Sequence, residues 1–73
     1  MLEVKCFATL QDHTPEGGKI DYRPGLTVRD VLKMLDIPEE EVKVVFVNGE
    51  YKDLDTSLQD GDRLGLFPAV GGG

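Results

Sequence analysis

The sequence has no tryptophan, one cysteine (Cys6) and one histidine (His13) in 73 residues. A lone thiol closes no internal disulfide and cannot by itself hold zinc or an iron–sulfur cluster, so no metal site is expected. With one imidazole and one thiol, the chain lacks a supported Cys/His or Ser/His/Asp set for nucleophilic catalysis. Long apolar runs are missing too. The longest stretch of large apolar residues, "VVFV" at 44–47, is far too short for a membrane span or the core of a signal peptide. Together with the single thiol, this predicts a cytoplasmic protein with no membrane partner. Positive charge is also scarce: eight Lys and Arg stand against fourteen Asp and Glu, a net charge of −6. No basic run interrupts the acidic background, which excludes nucleic acid as the expected partner. A protein with a basic docking surface is the natural complement.

What is present is a small domain with short, well-marked elements. Residues 2–10, "LEVKCFATL", alternate: Leu2, Val4, Cys6, Ala8 and Leu10 point one way, Glu3, Lys5, Phe7 and Thr9 the other. That is the period of a half-buried strand, in which Cys6 behaves as a small hydrophobe. "QDHTPEGG" at 11–18 is turn chemistry, leaving His13 in solvent, and "KIDYR" at 19–23 returns as a hairpin partner. Thr27 is a good N-cap with Asp30 three residues on, close to a capping box. Val28, Val31, Leu32 and Leu35 then form one apolar stripe, predicting a helix over 28–36 that Pro38 prevents from continuing. "PEEE" at 38–41 reads as a solvated acidic connector. "VKVVFV" at 42–47 is rich in β-branched residues and runs into Asn48-Gly49, a tight-turn signal. "EYKDL" is a short extended piece, "DTSLQDGD" at 55–62 a second turn region, and "RLGLF" at 63–67 a last strand before Pro68.

The order β-β-α-β-β predicts an α+β fold of ubiquitin-like β-grasp type. A mixed four- to five-stranded sheet would be covered on one face by one main helix, with the first and last strands as parallel neighbours. Residues 1–68 would form the domain and 69–73 a flexible C-terminal glycine tail. If Val45 and Val47 face the helix, then Val44 and Phe46 face away, and Phe67 shares a face with Gly65. Phe7, Val44, Phe46 and Phe67 would then meet on the uncovered side of the sheet, a candidate docking patch.

The ending "FPAVGGG" is the strongest chemical signal. Bare glycines can be drawn through a channel too narrow for side chains, presenting the carboxylate of Gly73. A carboxylate is a poor electrophile and must first be activated, for example as an acyl-adenylate made from ATP. No glycine here stands in a phosphate-loop spacing, so another protein would supply that step.

The β-grasp order, "VNGEY" at 47–51, "DTSLQDGDRLGLFP" at 55–68 and the ending "AVGGG" together resemble the MoaD/ThiS sulfur-carrier family. The resemblance spans essentially the whole chain and is most specific in the D-G-D turn, the final strand and the glycines. It implies a non-catalytic carrier. An adenylating enzyme of the MoeB/ThiF kind, itself supplying ATP and magnesium, would activate the carboxylate of Gly73. A sulfur donor would convert the adenylate to a thiocarboxylate, and an acceptor enzyme would take the sulfur. Gly72 and Gly73 match the family's terminal pair; Gly71 is a spacer, and Val70 joins it as a partner contact. Phe7 and Phe67 fall where the family presents aromatics to its partners. "LFPAV" points to the small subunit of molybdopterin synthase, with that enzyme's large subunit as acceptor. That is the leading reading; the short "DIPEEE" connection departs from it, and the ending "VGGG" is also common in the thiamine carriers, which makes thiazole synthase the alternative acceptor. A ubiquitin-like modifier that passes the adenylate to a target lysine, and a plain interaction domain, complete the alternatives.

Overall fold

A computed structural model describes residues 1–68. It places β1 at Leu2–Cys6, β2 at Lys19–Ile20, α1 at Val28–Met34, β3 at Val42–Val47, β4 at Glu50–Lys52 and β5 at Arg63–Pro68. The strands form one mixed sheet in the order β2-β1-β5-β3-β4. β1 and β5 are parallel, and the other pairs are antiparallel. This is the β-grasp arrangement that the element order predicts. The tail expected at 69–73, with Val70, Gly71, Gly72 and Gly73, lies outside the described residues.

One face of the sheet is buried. Leu2, Val4 and Cys6 of β1, Val45 and Val47 of β3, and Leu64 and Leu66 of β5 join Val28, Val31 and Leu32 of α1 in a single core. The helix begins at a complete capping box. The Asp30 amide donates to Thr27 Oγ1 at 3.2 Å, and the Thr27 amide donates to Asp30 Oδ2 at 3.0 Å. It ends two residues earlier than its stripe predicts, and not at Pro38. Asp36 turns left-handed (φ 59°), the Asp36 amide donates to the Lys33 carbonyl, and the Ile37 amide reaches the Leu32 carbonyl at 2.9 Å. This paired closure satisfies the last carbonyls and buries Ile37.

The Thr27 backbone N–H, and then its hydroxyl, hold the Asp30 carboxyl below the usual carboxylate range. A depressed folded value adds stability above the unfolded range and loses it as pH falls through the folded value. Thr27→Ala is expected to cost about 1 kcal/mol at neutral pH, the usual cost of a lost N-cap. The gap from the parent narrows in acid. Thermal melts of both proteins at two pH values check this.

Two strands are also shorter than expected. β1 stops at Cys6: the Phe7 amide makes the last rung to the Leu66 carbonyl at 3.0 Å, and Ala8 turns left-handed (φ 52°). The chain enters a 3-10 turn over Ala8–His13, so Ala8 is exposed and Leu10 reaches the core from a turn instead of a strand. β2 pairs only at Leu2 and Glu3, because Gly17 and Gly18 turn left-handed (φ 73° and 69°) just before it and, in this register, only Met1 remains beyond Leu2 to face the residues after Ile20. His13 is also not free in solvent. It is part-buried, and its Nδ1–H donates to the Leu35 carbonyl at 3.1 Å, satisfying an acceptor at the end of α1.

Candidate functional site

The face of the sheet turned away from α1 is built in rows across the strands. Lys5, Gly65, Phe46 and Tyr51 stand in register on β1, β5, β3 and β4. One row away, Lys19, Glu3 and Arg63 are in register on β2, β1 and β5. On the other side, Phe67 is opposite Val44, and Phe7 follows β1.

Period-two geometry puts the aromatic side chains on one side, and their spacing makes them a cluster. The Phe7 and Phe67 rings stack with centroids 4.2 Å apart and planes 3° from parallel. Phe46 meets Phe67 edge-on at 5.6 Å, and Tyr51 meets Phe46 edge-on at 6.2 Å. Phe7, Val44, Phe46 and Phe67 are each only half-buried, so this is an apolar surface and not a core. The structure therefore brings together the four residues that strand parity placed on this face. Tyr51 is an addition. The signal for it was the Asn48-Gly49 turn, in which both residues have positive φ (54° and 84°) and Val47 pairs with Glu50, fixing Tyr51 opposite Phe46.

The turns bordering this face are tied down by polar side chains. Asp62 accepts from the Gln59 amide at 2.8 Å and from Asn48 Nδ2 at 2.9 Å. Asn48 Oδ1 accepts from the Arg63 amide at 3.0 Å. The D-G-D turn and the β3–β4 turn are thus clamped together where β5 begins. On the other side of the molecule, Arg29 donates to Glu39 at 2.8 Å and to Asp55, so one acid of the "PEEE" connector has an internal partner.

Nothing among the described residues gathers catalytic groups. Cys6 is buried and burial pushes its thiol up, with an opposing hydrogen bond from Thr14, which disfavours the reactive thiolate. Among the described residues, no cluster of three or more His, Cys, Asp and Glu could hold a metal ion. No helix there is long and apolar enough to cross a membrane. Gly72 and Gly73, expected to carry the chemistry, and Val70 and Gly71, expected to contact a partner, lie outside the described residues.

A family model described as the ThiS family matches residues 4–73. Among solved structures, the chain is similar to SAMP1 from Haloferax volcanii, at 30% identity and a TM-score of 0.70, over 99% of this chain and 98% of that one. It is also similar to a putative molybdopterin converting factor, subunit 1, from Pyrococcus furiosus. That match has 31% identity and a TM-score of 0.68, over 94% of this chain and 97% of the other.

Proposed function

The chain belongs to the ThiS family, and from that premise we propose that it is a sulfur carrier that works through the carboxylate of Gly73. In this reading a carboxylate oxygen attacks the α-phosphate of ATP on a MoeB/ThiF-like enzyme, releasing pyrophosphate. Hydrosulfide, or a donor persulfide whose S–S bond a thiol reductant then cleaves, displaces AMP from the terminal carbonyl, and the resulting thiocarboxylate gives its sulfur to an acceptor enzyme. The chain is a co-substrate and holds neither ATP nor magnesium itself.

The observation that carries this reading is the extent of the family match. It runs to residue 73 and so takes in the D-G-D turn, the final strand and the glycines as one unit. The aromatic face supports it. Phe67 immediately precedes Pro68, so a partner gripping Phe67 and Phe7 holds the chain within six residues of Gly73. The five residues beyond Pro68 can reach at most about 18 Å from Pro68. Docking on the face and delivery of the carboxylate are then one event.

For the acceptor, the likeness to a putative molybdopterin converting factor subunit and the "LFPAV" segment favour the large subunit of molybdopterin synthase. Thiazole synthase is the acceptor in the thiamine variant of the same chemistry. The match to SAMP1, a small archaeal modifier protein, favours a second reading in which the adenylate passes to a lysine of a target protein.

Pyrophosphate exchange tests the division of labour. The purified chain with ATP and magnesium is expected to give no exchange, and to give it once a family adenylating enzyme is added. Exchange by the chain alone, or none in the mixture, contradicts the proposal.

A further inference from the structure

Gly65 lies mid-strand on β5, at the centre of the open face, yet nothing in the fold requires glycine there. Its φ is outside the left-handed region, and a Cβ would lie 3.6 Å from ring carbons of both Phe7 and Phe67 and 3.9 Å from the Phe46 Cβ, which is ordinary contact. Glycine within a strand is destabilising, and it often marks a place where another group approaches closely. Here its missing side chain leaves a shallow notch, about one methyl group deep against the ring edges, in the floor of a groove of about 890 Å³.

The charge of that groove is opposite to the charge of the chain. Lys5, Lys19 and Arg63 line it against one acid, Glu3, although the whole chain carries −6. Glu3 and Arg63 face each other at 3.8 Å, both exposed, which makes a weak pair. Among the described residues, Lys5 and Lys19 have no ion-pair partner; the Lys5 ammonium stands 5.4 Å from the centroid of the Phe7 ring. The docking face is thus locally cationic, the reverse of what net charge alone predicts.

We propose that the groove receives one leucine- or methionine-sized side chain of a partner protein, its tip seated in the Gly65 notch, ringed by carboxylates that meet Lys5, Lys19 and Arg63. The occupant is an acidic protein surface with an apolar knob. This deepens the carrier reading, because it gives the chemistry of the surface that grips the open face.

Short blocked peptides test the notch without ATP, any enzyme or Gly73, so the outcome is separate from the fate of the carrier reading. The isotope-labelled chain is titrated with Glu-Glu-Leu-Glu-Glu, Glu-Glu-Gly-Glu-Glu and Lys-Lys-Leu-Lys-Lys, following backbone amides by NMR. The acidic leucine peptide is expected to shift the amides of Lys5, Phe46 and Gly65. Replacing its leucine with glycine is expected to weaken binding about tenfold or more, the worth of one buried aliphatic side chain. Reversing the peptide charge removes the response. Gly65→Ala is expected to melt about 2–8 °C higher, from restored strand propensity, while weakening the acidic peptide. Gly65→Val fills the notch further and weakens the peptide more. No response to the acidic peptide, an equal response to the basic one, or unchanged binding by both Gly65 variants overturns the proposal.

Discussion

Deleting Gly73, or replacing Gly72 with valine, is expected to cut adenylation by about 100-fold or more while leaving the domain's stability unchanged. The two changes fail for different reasons. Deletion keeps a terminal carboxylate but withdraws it by up to about 3.5 Å, one extended residue. In-line attack on a phosphate does not tolerate that displacement, since even about 1 Å can cost about 100-fold. Gly72→Val keeps the length but puts a branched side chain where a narrow channel accepts none. Both positions lie beyond β5 and its core residues Leu64 and Leu66, so each variant should melt within about 0.5 kcal/mol of the parent. Pyrophosphate release with the adenylating enzyme, measured beside thermal melts, checks both halves. Adenylation of either variant at the parental rate means the glycines are not the working end.

Truncating the stacked pair is the second large effect. Phe67→Ala is expected to weaken binding of the adenylating enzyme by about 1–4 kcal/mol, the range of an interface anchor. Phe7→Ala is expected to do less, because Phe67 touches both Phe7 and Phe46 while Phe7 stacks on Phe67 alone. Both rings are half-exposed on the side of the sheet away from the core, so the loss in folding stability is smaller than the loss in binding. Calorimetric titration of the enzyme, paired with thermal melts, separates the two. If both variants bind as the parent does, the aromatic cluster is only a surface.

The parts of this site readable from sequence are those fixed by local periodicity. β3 keeps strict alternation from Val44 to Val47 because its two faces have different surroundings, with Val45 and Val47 in the core and Val44 and Phe46 at the open surface. Phe67 follows from the same parity on β5. The alternation of residues 2–10 misled after Cys6, because a 3-10 turn returns Leu10 to the core at the position where a strand would also have buried it. Period two cannot distinguish those cases. His13 had no local signal, since the carbonyl it bonds is 22 residues away. The charge of the open face was hidden for a similar reason. Lys5, Lys19 and Arg63 are far apart in the chain and are joined only by sheet register, while the acids that set the net charge lie mostly elsewhere.

Sulfur carried on the terminal carbonyl changes the mass of the protein, so intact mass spectrometry is the decisive measurement. Protein isolated from its native cells, without exposure to thiol-reactive reagents, is expected to contain a species heavier than the unmodified chain by the difference between sulfur and oxygen. Fragmentation should place that difference on Gly73. A second sample, treated with an alkylating reagent under non-denaturing conditions, should carry the label on that residue, while buried Cys6 stays unlabelled. If the native protein holds only an unmodified carboxylate, or if the added sulfur maps to Cys6, the account of this chain as a sulfur carrier is contradicted.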